Sequence, residues 1–319
     1  MDPVTHGLVG MMLGLMGGGK LALANGLMAA SIAGSVFPDL DFVFQLRGDM
    51  AYLKQHRGFS HSLPSAALSS FFGAAVLNYF YPMTGFWWLF SAFFAGFLSH
   101  LLLDLLNSYG VKILWPLSEK KYTFNLLPLI DPLLVLICIL GIIWPFQGVS
   151  GYPVLAVFAF YCFLRWVMRL GARRIVRSRL KEKGWNGPFR IYVLPSGRMS
   201  FLRWDFIVKS TLKDLVGSID LGSGRWRVFR ELDHPPEEVR EIQEILPLTP
   251  LGQTFGEFTP LYHIKCEKLG DKFICHFMDL RYRVENRFMH NGVLVLNENR
   301  EVEKAFFLPY STEHRIYLA

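Results

Sequence analysis

The chain has 319 residues, 52% of them apolar and only 18% charged, against roughly 25% charged in soluble domains. That deficit argues against an ordinary soluble protein and for contact with lipid. The net charge of +7 does not call for nucleic acid, because much of it gathers at Arg165, Arg169, Arg173, Arg174, Arg177, Arg179, Lys181 and Lys183. These follow the last apolar run, where a membrane protein keeps its inward-facing cations.

Six apolar stretches follow one another, at about 6–18, 21–37, 62–81, 85–106, 126–146 and 152–170, and several reach the roughly 20 residues needed to span a bilayer. The first two are short. Their small residues (Gly10, Gly14, Ala22, Ala24, Ala29, Ala30, Gly34) permit close helix packing, with a turn expected at Gly17-Gly18-Gly19-Lys20. Residues 1–170 hold 9 Lys/Arg and 7 Asp/Glu, and residues 171–319 hold the other 24 and 19. The expected architecture is therefore an α-helical multi-spanning membrane domain of about six helices over 1–170. A basic juxtamembrane linker (171–184) and a small, mostly β domain (185–319) follow. If all six stretches cross, Arg47, Lys54, Arg57, Lys112, Lys120, Lys121 and the basic run share the side of the N-terminus, and Lys20 stands alone on the other. Positive charge inside makes the first side cytoplasmic, and with it the C-terminal domain.

Beyond residue 185 the pattern shortens. Residues 190–194, 273–277 and 293–296 are rich in β-branched and aromatic side chains. Turn signals punctuate them at Pro195-Ser196-Gly197, Gly270-Asp271, Asn291-Gly292 and Asn297-Glu298-Asn299. One helix is expected at about 235–245, opened by Pro235-Pro236-Glu237-Glu238. The four cysteines form no CxxC, so neither a thiolate zinc site nor a disulfide framework is expected. The N-terminus has no basic n-region, so no cleavable signal peptide is expected.

Chemistry concentrates in the membrane half. His100 and Asp104, four apart, share a helix face with Asn107. Asp39 and Asp41 form a D-x-D after Pro38, a pattern suited to divalent cations. In His56-Arg57-Gly58-Phe59-Ser60-His61-Ser62 the two histidines converge only if the stretch turns. Gly58 can supply that turn, Ser60 can cap the next helix, and Arg57 can hold a phosphate or carboxylate. With His6 and Asp131, these groups fall at the N-terminal-side ends of the helices, in one leaflet. Ionisable groups are costly there unless they have a function. Such a cluster, nitrogen and carboxylate without thiolate, suits zinc ahead of manganese or iron, and its size allows more than one ion. His234, His263, His276, His290 and His314 share no spacing and are expected on the surface or in strand packing. Trp204, Trp226 and Tyr282 are expected in the core.

The opening Met1-Asp2-Pro3-Val4-Thr5-His6-Gly7, Pro38-Asp39-Leu40-Asp41, the 56–62 stretch, His100-x3-Asp104-x2-Asn107, Trp115-Pro116 and Ile130-Asp131-Pro132-Leu133 carry a family pattern. The chain resembles the YdjM-like inner-membrane proteins, described as predicted metal-dependent hydrolases and distantly similar to zinc-dependent phospholipase C and P1-type nucleases. The resemblance covers about 1–170. It implies His6, Asp39, Asp41, His56, His61, His100 and Asp104 as metal positions, with Asp131 as a further candidate. The expected function is metal-dependent hydrolysis of a phosphodiester or related ester in an amphiphilic substrate at the cytoplasmic face of the inner (plasma) membrane. Asp39 or Asp131 would act as base and Arg57 would hold phosphate. Membrane lipids are the expected partners, with no specific nucleic-acid partner. The alternatives are a non-enzymatic membrane regulator or scaffold whose C-terminal domain binds a protein, and a metal transporter.

Overall fold

The computed structural model describes residues 1–16, 25–47, 57–143, 152–197, 200–234, 240–284, 287–309 and 315–318. The turn expected at 17–20, His56, His314 and Pro235-Pro236-Glu237-Glu238 lie outside them. The chain divides into two compact units, Met1–Val167 and Met168–Ala319.

The first unit is helical. Helix α1 runs Pro3–Met16 and α2 runs Gly26–Val36. Asn25 caps α2, its side-chain oxygen accepting from the amides of Leu27 and Met28. Pro38 lacks an amide proton and crowds the preceding turn, so α2 tightens into a 3-10 helix over Phe37–Arg47. A short 3-10 turn, Phe59–His61, precedes α3, Leu63–Phe80. Its cap is Ser62, not the Ser60 expected from sequence: the Ser62 hydroxyl accepts from Ser65 N. Helix α4 covers Phe86–Leu106, α5 Pro132–Ile143 and α6 Tyr152–Glu182.

Among the described residues, four helical stretches are long and apolar enough to cross a membrane: Gly26–Leu46, Leu63–Phe80, Phe86–Leu106 and Tyr152–Glu182. Helices α1 and α5 are apolar but shorter. At 1.5 Å per residue α1 rises about 21 Å, against a hydrocarbon core of about 30 Å.

Small residues set the packing of α2 on α4. A Cβ on Gly34 would lie 2.0 Å from the Phe93 carbonyl oxygen, and one on Gly96 would lie 2.1 Å from that of Ser31. Glycine at both positions lets the two backbones touch.

The second unit begins in α6. Ala172, Val176 and Leu180 are fully buried against Ile191, Val193, Trp204, Phe206 and Ile219, so the stretch expected as a linker is helix, and one face of it is core. Four strands, β1 Phe189–Pro195, β2 Arg203–Ser210, β3 Lys213–Asp220 and β4 Trp226–Asp233, form an antiparallel meander in that order. Trp204 is buried in this core and Trp226 stacks on Phe206 at 4.3 Å. Helices α7 (Arg240–Ile245) and α8 (Pro250–Phe258) lead into β5 Tyr262–Leu269, β6 Lys272–Asp279, β7 Arg283–Val284, β8 Arg287–Phe288, β9 His290–Leu296, β10 Val302–Pro309 and β11 Ile316–Tyr317. The second sheet has the order β11-β10-β9-β6-β5, and β7 pairs with β8. Phe255 of α8 meets Phe277 and Phe307 there.

Two sequence expectations change here. Asn291-Gly292 is not a turn but lies inside β9. A Cβ on Gly292 would come within 2.8 Å of Leu251 and Phe255, so the glycine marks where α8 presses on the sheet. Cys266 and Cys275 face each other in the β5–β6 register, 4.1 Å apart at Cα, and are joined as a disulfide. Their nine-residue spacing is the reach of a hairpin, which CxxC arithmetic does not test.

Candidate metal centre

The cluster is built from helix ends. His100 and Asp104 project from the last turns of α4, His6 from α1, Asp39 from the 3-10 segment and His61 from the turn before α3. His6, His61, His100 and Asp104 are fully buried, and the Asp39 side chain is 15% exposed.

The tautomers of two imidazoles follow from their partners. His100 Nδ1 lies 2.7 Å from the Ser35 carbonyl oxygen, which can only accept, so Nδ1 carries the proton. The Gly34 and Gly96 contacts bring that carbonyl within reach. His61 Nδ1 lies 2.9 Å from Ser60 Oγ, and the Ser60 hydroxyl donates to Asp41 Oδ2 at 2.9 Å. The single Ser60 proton is thus spent on the carboxylate, and Nδ1–H of His61 donates to Ser60. With Nδ1 of each ring engaged, the two Nε2 atoms face each other 3.1 Å apart. Nitrogens at that distance share either a proton or a cation.

Carboxylate oxygens close the polygon. Asp104 Oδ2 lies 3.6 Å from His61 Nε2 and 3.7 Å from His100 Nε2. Asp39 Oδ1 lies 3.7 and 3.6 Å from the same atoms. Either triangle has a circumradius of about 2.0 Å, and zinc–ligand bonds are about 2.0–2.2 Å. His6 stacks on His100 at 3.6 Å, with Nε2 3.6 Å from Asp104 Oδ1. Both ring nitrogens of His6 and Asp39 Oδ2 are buried without a hydrogen-bond partner. One ligand atom each from His6, Asp39 and His100, and likewise from His61, His100 and Asp104, lie within 4.8 Å of one another. The donor set and its orphaned atoms therefore fit a divalent ion.

The same stretch of chain matches a family model, that of the YdjM inner membrane protein, over residues 1–172. The chain belongs to the YdjM inner membrane protein family. It is a membrane protein, as that match and its apolar helices both indicate. A second model, the YfhP C-terminal alpha/beta plait domain, matches residues 246–315, the part holding α8 and the second sheet up to β10. The uncharacterized protein YfhP of Bacillus subtilis (strain 168) is 25% identical over 317 residues, covering 96% of this chain and 94% of that protein. No solved structure matches.

In this YdjM-family chain the other predicted site residues take different places. Asp41 meets the other ring nitrogen of His61, with Oδ2 3.6 Å from Nδ1, and holds the 57–61 turn, accepting from Ser60 Oγ and, at 3.3 Å, from Arg57 N. Residues two apart on a 3-10 helix point about 120° apart, which sends Asp39 and Asp41 to different work. Arg57, not Gly58, takes the left-handed conformation of that turn, with φ of 60°. Its Nε is 3.2 Å from Asp104 Oδ2, its Nη1 donates to Asn107 Oδ1 at 3.5 Å, and its guanidinium lies 4.7 Å from the Tyr109 ring centre. The Met1 amino group also pairs with Asp104. Asn107 donates to Asp104 Oδ1 at 2.9 Å and accepts from Tyr109 N, tying the end of α4 to the cluster. Asp131 is engaged elsewhere: one oxygen accepts from Leu133 N and Leu134 N, capping α5, and the other accepts from Tyr161 OH at 2.5 Å. The Ser35 carbonyl was not foreseeable, since it is backbone and belongs to no motif.

Proposed function

We propose that the chain is a membrane-bound, metal-dependent hydrolase acting on a phosphodiester or related ester of an amphiphilic substrate. One observation carries the reading: the Nε2 atoms of His61 and His100 face each other 3.1 Å apart, with a carboxylate oxygen closing each side. A bound zinc-class ion would lower the pKa of a coordinated water and neutralise charge that develops on the substrate. His61, His100 and Asp104 would hold the ion, with Asp39 or His6 completing the set. Asp39, the most exposed of the carboxylates, is placed to take a proton when it is not a ligand. Arg57 balances Asp104 and keeps a cation beside the donors.

Support for an amphiphilic substrate comes from the segment that carries Asp39 and Asp41. Leu40, Phe42, Val43 and Leu46 on it are exposed, and such side chains suit acyl chains. For topology we propose six crossings, with the cluster and the C-terminal domain on the cytoplasmic side. Its basis is the positive-inside distribution of Lys and Arg.

The rival is a structural polar cluster in a non-enzymatic regulator. It is favoured by the ion pair that Arg57 already makes with Asp104. Elemental mass spectrometry on detergent-purified protein separates the two. Stoichiometric metal in the wild type, lost in a folded His100→Ala/Asp104→Ala variant, with metal-dependent turnover of a phosphodiester or phospholipid panel, supports the enzyme. A stable protein without metal after metal-replete purification refutes it.

A further inference from the structure

A second group of donors lies in the C-terminal unit, outside everything assigned above. Asp214 is on β3, His234 directly follows β4 and His263 is on β5. Asp214 is wholly buried, His263 almost so, and the His234 side chain is 30% exposed. The two Asp214 oxygens have different surroundings. Oδ2 accepts from Lys209 Nζ at 2.5 Å and lies 2.7 Å from His263 Nδ1. Oδ1 lies 3.3 Å from His234 Nε2. Lys209, opposite Asp214 in the β2–β3 register, is itself anchored on the Tyr262 carbonyl oxygen at 2.8 Å.

The ammonium of Lys209 already answers the carboxylate charge, so two imidazoles on the same group are surplus to charge balance. His263 Nε2 is buried and has no hydrogen-bond partner, an expensive state for a ring that had only a structural role. One ligand atom from each of Asp214, His234 and His263 lies within 4.8 Å of the others. Neighbouring ligands on tetrahedral zinc are about 3.3–3.5 Å apart, as bond lengths of about 2.0–2.2 Å require, and the Oδ1–His234 distance falls there. A carboxylate that binds through one oxygen commonly has its other oxygen held by a donor, the place Lys209 occupies.

We propose that Asp214, His234 and His263 form a second metal site, of two-nitrogen, one-oxygen type, that takes a zinc-class divalent ion. Asp214 binds through Oδ1 while Lys209 keeps Oδ2. The fourth position is left to water or a partner's donor, reached past the partly exposed His234. The site joins strands of both sheets, so its occupancy ties β3 and β4 to β5.

The test uses the full chain carrying His100→Ala/Asp104→Ala, which removes the membrane-domain cluster whether or not that cluster binds metal. After equilibration with buffered zinc, this protein is expected to retain one zinc per chain, and cobalt in its place to give the visible absorption of a tetrahedral site. Adding His234→Ala, or the milder His234→Gln, is expected to weaken zinc binding at least tenfold, with the circular dichroism unchanged. No retained zinc, or retained zinc indifferent to both His234 variants and to His263→Gln, overturns the proposal.

Discussion

Replacing Gly96 by alanine tests how the helix packing reaches the cluster. The new Cβ would sit 2.1 Å from the Ser31 carbonyl oxygen, and real Cβ atoms do not come within 3.0 Å of a neighbour. Backbone cannot swing aside as a side-chain tip does, so α2 and α4 must part by about 0.9 Å. The same movement carries the 2.7 Å bond from His100 Nδ1 to the Ser35 carbonyl out to about 3.6 Å, beyond a hydrogen bond. Overpacking costs about 1–3 kcal/mol and the lost bond about 0.5–1.5 kcal/mol, together roughly 2–4 kcal/mol. The imidazole also loses the partner that fixes its tautomer, so metal retention falls with stability. Thermal unfolding in detergent and elemental analysis of the same sample measure both. Gly171→Ala is the control: nothing lies within 4 Å of a Cβ there, and it should be neutral or stabilise α6 by about 0.5–1 kcal/mol. A Gly96→Ala protein with wild-type melting and wild-type metal would refute the packing argument.

Ser60→Ala removes the hydroxyl between His61 and Asp41; a chelator-competition titration should show about 10–100-fold weaker metal binding with melting little changed. His290 titrates low, at about 4 against its ordinary 6.5, because burial disfavours the charged ring. Its stabilisation is therefore complete above pH 6.5 and lost as pH falls through 4, by about 3 kcal/mol. The melting difference between wild type and His290→Phe should change across that window and be flat above it; a pH-independent difference would contradict the assignment. Disulfides are rare in reducing cytoplasm, so acid-quenching intact cells and alkylating thiols after denaturation should label all four cysteines if the C-terminal domain is cytoplasmic. Labelling confined to Cys138 and Cys162, the two free cysteines of the structure, would put that domain on the oxidising side.

What the sequence conveyed depended on whether partners were local. His100 and Asp104 were legible because one helix turn brings them together, and the strands at 190–194, 273–277 and 293–296 were legible from short β-branched runs. The small-residue stripe announced close packing, but not that it would deliver a carbonyl to His100. Asp131 looked like a ligand. Its setting, Asp followed by Pro132 at the first helical position, is equally that of an N-cap, and there the local role won. Asp214, His234 and His263 gave no signal at all, since β3, β4 and β5 bring them together through sheet pairing and no linear spacing encodes that.

The cluster also has a place in time. Its described donors run from His6 to Asp104, and the segment that clamps the 57–63 turn, through Lys112 N to Arg57 O and Leu63 N to Ile113 O, closes on itself at the Val111–Tyr122 bridge. Domains synthesised first fold first. By the time a nascent chain has carried Tyr122 clear of the ribosome, every one of those donors and their clamp are out, while the two sheets are still unmade. The parts of the centre are thus complete before the C-terminal domain exists.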